Sequence, residues 1–158
     1  MELHVRALDV AEFEAYRQRR VRDYARSQIR NGDWSAEEAE ARADRAFREL
    51  LPDGVQTAGA LILAGEREDG VVVGFAWLSL EAETPGTAWL NSVEVLAEHR
   101  GRGYGRVLLG CVEDALRHRG IEQIEFSVLA SNEAGRGLFQ AAGYDARAIH
   151  MRKRLSEL

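Results

Sequence analysis

Residues 93–106 read Val-Glu-Val-Leu-Ala-Glu-His-Arg-Gly-Arg-Gly-Tyr-Gly-Arg: an apolar strand, a glycine-rich turn and the start of a helical pattern. No other stretch constrains the chain as much. The first N–H groups of a helix lack intrahelical acceptors and face whatever lies before it, which favours an anion. Gly101, Gly103 and Gly105 keep that backbone bare, where a side chain would stand between the amides and phosphate oxygens. Arg100, Arg102 and Arg106 add three cations within seven residues, so the segment predicts a diphosphate-like ligand. Two familiar phosphate loops do not fit. The dinucleotide fingerprint needs glycine at its sixth position, which counted from Gly101 is Arg106, and a P-loop needs a lysine that the segment lacks. A third pattern, Arg/Gln-x-x-Gly-x-Gly/Ala, is met at every fixed place by Arg100 to Gly105.

The rest of the chain reads as one mixed domain over residues 1–158. Leu3 to Leu8 alternates as a short strand, and Asp9 caps a helical pattern that runs to Arg30 and stops at Asn31-Gly32. On that helix Val10, Phe13, Val21, Tyr24 and Ala25 share an apolar face, with Arg17 and Gln28 intruding. Arg19, Arg22, Arg26 and Arg30 fall opposite and read as a solvated face. Ser35 and Glu38 have capping-box spacing for a second helix to Leu51. Strands are expected over 60–64, 70–80, 88–96, 121–129 and 146–155, and helices over 103–118 and 132–142.

Composition excludes several classes. The net charge of −5 argues against nucleic acid as the main partner. The longest apolar run, Val71 to Leu78, is too short to cross a membrane, and the amino terminus lacks a signal-peptide pattern. Cys111 is the sole cysteine and sits in an apolar run, which predicts a buried thiol, no internal disulfide and a cytoplasmic setting. His4, His99, His118 and His150 have no metal-ligand spacing, so no metal site is expected.

With these motifs in place, the chain resembles the GCN5-related N-acetyltransferase (GNAT) family. The likeness rests on the order of elements, on the loop from Arg100 to Arg106, and on the segment Ala130-Ser131-Asn132-Glu133-Ala134 followed by Gly135 to Tyr144. It implies an α/β (α+β) fold with a mixed, mostly antiparallel sheet flanked by helices and splayed between the fourth and fifth strands. It implies acetyl-CoA as cofactor: amides of Gly101, Arg102, Gly103, Tyr104, Gly105 and Arg106, with Arg100, on the diphosphate, and the backbone of Val93 and Val95 along the pantetheine arm. Asn132 would bond that arm from the other side, and Phe139 would pack on the thioester.

The implied reaction is direct acetyl transfer to a primary amine of a small molecule or peptide. It needs an oxyanion donor and routes for two protons. The Val95 N–H is the expected donor and Glu94 the first candidate base. Phe139 stands where many members carry a tyrosine acid, and it has no proton to give. That departure also favours an alternative, a non-catalytic acyl-CoA-binding or sensor module. The family's acceptor groove implies substrate contacts from Arg17, Tyr24, Gln28 and Trp34, with Arg17 suited to a carboxylate. The sequence leaves monomer and homodimer open.

Overall fold

Two apolar strands joined by a short polar hairpin form the centre of the sheet, β2 (Ala60–Arg67) and β3 (Val72–Ser79). The computed structural model describes residues 1–156, in two compact units, Met1–Phe126 and Ser127–Leu158. In the first unit β1 (Leu3–Ala7), β2, β3 and β4 (Thr87–Val95) pair antiparallel in sequence order. The fifth strand, β5 (Gln123–Glu125), joins β4 in parallel, which gives the expected mixed sheet.

Alternation assigns the two faces. Ile62, Ala64, Phe75 and Trp77 join one core with Phe13, Tyr16, Val21 and Ala25 of α1 (Val10–Arg30) and Ala43 and Phe47 of α2 (Ala39–Leu50). The other face packs against α3 (Tyr104–His118), whose Leu108, Leu109, Val112 and Leu116 are fully buried. Gly65 and Gly74 let α3 approach: a Cβ at Gly65 would stand 2.7 Å from a Leu108 methyl, and one at Gly74 would stand 2.3 Å from the Glu94 carbonyl oxygen.

Asp9 starts α1 through a full capping box, accepting the Glu12 N–H at 2.8 Å while Glu12 accepts the Asp9 N–H at 3.1 Å. Arg6 reaches Glu12 with two bonds of 2.7 and 2.8 Å and Glu66 with one of 2.6 Å, tying β1, α1 and β2 together. These bonds from Arg6 hold the Glu12 carboxyl down at about 2.

Three expected boundaries differ. The second helix begins at Ala39 rather than Ser35, with Glu38 at its N-cap making no side-chain capping bond. β5 covers three residues of the expected nine. In the second unit α4 (Glu133–Ala141) forms as expected, and within that unit no strand is assigned among the described residues of the expected stretch 146–155. Among the described residues no helix is long and apolar enough to cross a membrane.

Replacing Gly74 with alanine forces β3 off β4 or Leu108 off the sheet. We expect a loss of about 2–4 kcal/mol, seen as a melting temperature lower by about 5–15 °C; an unchanged melt would show that the contact yields freely. For Glu12→Gln the sign follows from a carboxyl lowered in the folded state. Its contribution is present at pH 7 and disappears as pH falls from the ordinary 4.5 to about 2. Melting curves of the two proteins should therefore converge over that interval.

Candidate active site along the open edge of the fourth strand

Within the first unit β4 is paired over different stretches on its two sides. Its register with β3 runs from Val95↔Gly74 to Trp89↔Ser79, whereas its register with β5 stops after Trp89↔Glu125. Ser92 faces Trp77 and Leu90 faces Leu78, so Asn91 is an extra residue, a β-bulge at the point where β5 pairing has ended. The bulge gives no periodic signal, and the sequence reading lacked it.

The hydrogen-bond phase tells which backbone groups face the open edge. The Leu96 N–H donates to the Val73 carbonyl at 2.8 Å. In an antiparallel ladder such pairs alternate, so Glu94 and Ser92 bond toward β3 while Val93 and Val95 turn their N–H and C=O groups outward. The Val95 carbonyl accepts Nε of Arg100 at 2.8 Å, which commits that arginine to fastening the loop to the strand. The Val93 and Val95 amides point the way a further extended chain would pair.

The strand leads through a short 3-10 turn (Ala97–His99) into the glycine loop. Gly101 and Gly103 adopt φ of 76° and 85°, left-handed values that favour glycine. Gly103 caps α3 with no side-chain bond, leaving the first N–H groups of the helix, from Tyr104, Gly105 and Arg106, without an intrahelical acceptor. A Cβ at Gly101 would meet no protein atom within 4 Å. Arg102 and Arg106 are exposed beside these amides. A concave run of outward amides with flanking cations suits a phosphate group.

Glu94 points to the α1 side, and its surroundings overturn the solvated reading of Arg19. Its side chain is only 7% exposed. Arg19 bonds its Oε1 through Nη2 at 2.6 Å and Nε at 3.1 Å, and Arg20 pairs with Oε2 at 3.1 Å. Arg20 also donates to Ser92 Oγ at 3.1 Å and pairs with Asp23. The Arg19 guanidinium carbon lies 4.9 Å from the Phe75 ring centre and 5.6 Å from that of Tyr16. Glu94 is thus an engaged acceptor, and a base role requires one arginine to let go. Tyr16 and Arg20 lie beside Phe13 at about 100° per residue, a helical stripe that shows in the sequence once Arg20 is accepted as interior. Burial raises the Tyr16 hydroxyl well above its ordinary range. That hydroxyl, Trp77 Nε1 and Arg20 Nε are buried without a hydrogen-bond partner.

The expected acceptor residues divide. Tyr24 meets Trp34 edge-on at 5.3 Å and Phe47 at 6.1 Å, in an aromatic cluster that Arg42 covers at 4.7 Å from Trp34. The Gln28 carbonyl accepts the N–H groups of Asp33 and Trp34 at 2.9 and 3.4 Å, shaping the loop after α1. Arg17 sits in a shallow groove between α1 and α2, paired with Asp44 and with Glu14 at 2.8 Å, so its charge is already matched. In the second unit Asn132 accepts the Gly135 N–H at 3.0 Å and caps α4, and Phe139 meets Tyr144 edge-on at 5.8 Å. Cys111 donates to the Leu3 carbonyl at 3.3 Å and is only partly buried.

Known proteins share this arrangement. A family model described as acetyltransferase (GNAT) family matches residues 18–144. Two proteins of Bacillus subtilis (strain 168) align along nearly the whole chain. The uncharacterized N-acetyltransferase YycN is 26% identical over 98% of this chain and all of its own. The uncharacterized N-acetyltransferase YdgE is 29% identical over 91% of this chain and 92% of its own. The crystal structure of YycN superposes with a TM-score of 0.92, covering 98% of this chain and 99% of that one. The fold is also that of the PaiA N-acetyltransferase of Thermoplasma acidophilum, solved with coenzyme A. That match has a TM-score of 0.71 at 20% identity, over 95% of this chain and 94% of that one.

Tyr16→Phe isolates the buried hydroxyl, because the ring and its packing remain. The hydroxyl makes no well-formed hydrogen bond, with Ser92 a weak neighbour at most, so the melting temperature should hold or rise by a few degrees. A drop of more than about 1 kcal/mol in stability would reveal a bridging water that the hydroxyl holds.

Proposed function

We propose, for a chain that belongs to the GNAT acetyltransferase family, that the acetyl group of acetyl-CoA passes directly to a primary amine of a small molecule or peptide. The observation that carries this is the edge of β4 beyond Trp89, unpaired within the first unit, leading through a short 3-10 turn into the glycine loop. The loop amides of Gly101 to Arg106 hold the diphosphate, and Arg102 and Arg106 offset its charge. The outward N–H and C=O of Val93 pair with the pantetheine amides as a strand would. Acetyl-CoA supplies a thioester whose C–S bond breaks as the new C–N bond forms.

The chain's own part is to hold that carbonyl and to accept charge. The Val95 N–H donates to the carbonyl oxygen as negative charge develops there. It is fixed by the ladder to β3, so it needs no reorganisation when the reaction occurs. Glu94 stands one residue away on the opposite face of the strand, oriented by Arg20 and Ser92. It serves as counter-charge to the incoming amine, and the amine's proton leaves to solvent. Phe139 offers no acid, so the departing thiolate takes its proton from water; an alkyl thiol with a pKa of about 8.5 needs little help.

Calorimetric titration with acetyl-CoA and with coenzyme A, on wild type and Gly103→Glu, tests the loop. A carboxylate at Gly103 would repel the diphosphate, and its side chain would strain the left-handed φ of 85°. Wild type should bind both ligands and the variant should lose about 100-fold or more in affinity. Equal binding by the two proteins would remove the loop from the cofactor site. Binding with no acetylation of any amine in a broad screen would leave the acyl-CoA-binding module standing in place of the enzyme.

A further inference from the structure

The contact between Arg19 and Glu94 has an unusual form for an arginine pair. Both donors, Nη2 at 2.6 Å and Nε at 3.1 Å, go to the single oxygen Oε1. The parallel two-oxygen fork that distinguishes guanidinium from ammonium is not made. Beneath the charge lie two aromatic faces, Phe75 at 4.9 Å and Tyr16 at 5.6 Å from their ring centres. One carboxylate oxygen above two ring faces is a site that any compact cation fills as well as an arginine does.

The members of this cluster differ in how firmly they are held. Arg19 is the outermost, with a side chain 28% exposed against 7% for Glu94. Arg20 keeps its own hold on Oε2, and Ser92 and Asp23 fix Arg20 in turn. Departure of Arg19 would therefore free Oε1 without leaving Glu94 unpaired or mobile. Tyr16 and Phe75 are 1% and 8% exposed and belong to the packed core, so the aromatic floor stays in place. Glu94 also neighbours Val93 and Val95, whose outward amides line the open edge of β4.

We infer that Glu94 Oε1, Tyr16 and Phe75 form a binding site for the ammonium group of the acceptor, and that Arg19 is a specificity residue occupying it at rest. This rests on the acetyl-transfer reading for its purpose, though not for its chemistry. An acceptor gains the site only by displacing Arg19, so compact primary ammonium groups enter. Acceptors whose amine neighbours a carboxylate are disfavoured, since a negative charge there would meet the Glu94 side of the cluster.

The test uses Arg19→Ala and Arg19→Gln, each alone and combined with Glu94→Gln, with propylammonium as the probe and propionate as its anionic control at matched ionic strength. Calorimetry without cofactor reads the site directly. Both single variants should bind propylammonium about tenfold more tightly than wild type, and the double variants should lose that gain. With acetyl-CoA present, KM for propylamine should fall by a similar factor in the single variants. Propylammonium binding that is no tighter in Arg19→Ala and Arg19→Gln than in wild type overturns the inference, as does a gain that survives Glu94→Gln. If the cation site appears while no form of the protein binds acetyl-CoA, the acetyl-transfer reading fails and the site stands. If acetyl-CoA binds and the cation gain is missing, only the site falls.

Discussion

The structure turns on the unequal pairing of β4. From Trp89 to Val95 it is laddered to β3, yet within the first unit its other edge is paired only from Thr87 to Trp89. An exposed strand edge is ordinarily a hazard that proteins cover or charge. Here the bulge at Asn91 falls where the cover ends, and the uncovered stretch leads into the glycine loop. The outward backbone groups of Val93 and Val95, the bare helix start and the Glu94 cluster all follow from one strand whose two sides are paired over different stretches.

How legible this was depended on the range of the interaction. The loop could be read because its determinants are local: glycines at Gly101 and Gly103 adopt positive φ, and the helix begins one residue later. Asp9 as a helix cap was legible for the same reason. The roles of Arg19 and Arg20 were not, since their partner lies some 75 residues away on β4 and periodicity alone puts Arg19 among solvated residues. The bulge was also silent, because an extra residue in a strand changes register without changing composition. The late start of α2 shows a weaker case, a capping-box spacing at Ser35 and Glu38 while the helix takes Glu38 itself as its N-cap, with no side-chain bond.

Three arginines in four positions of α1 illustrate how little a residue type says by itself. Arg17 bridges α1 and α2 through Asp44, with Glu14 alongside. Arg20 is an anchor, with one guanidinium joining Asp23, Glu94 and Ser92. Arg19 lies between them in sequence, stacked on two rings and open to water on its far side. All three carry the same charge. Their differences come from turning about 100° per residue around a helix that lies between a second helix and a sheet.

The close seat of α3 on Gly65 and Gly74 has a consequence for how such a chain changes over generations. Leu108, which fills that seat, lies one helical turn from the amides of Tyr104 to Arg106. Any added bulk beneath it raises the helix at the end nearest the ligand, with almost no length of helix to absorb the shift. Interior volume and the position of the loop amides are thereby geared together, so that a change in the core is felt at the start of α3. Changes on α1 and α2, which pack on the other face of the sheet, leave the height of that helix alone.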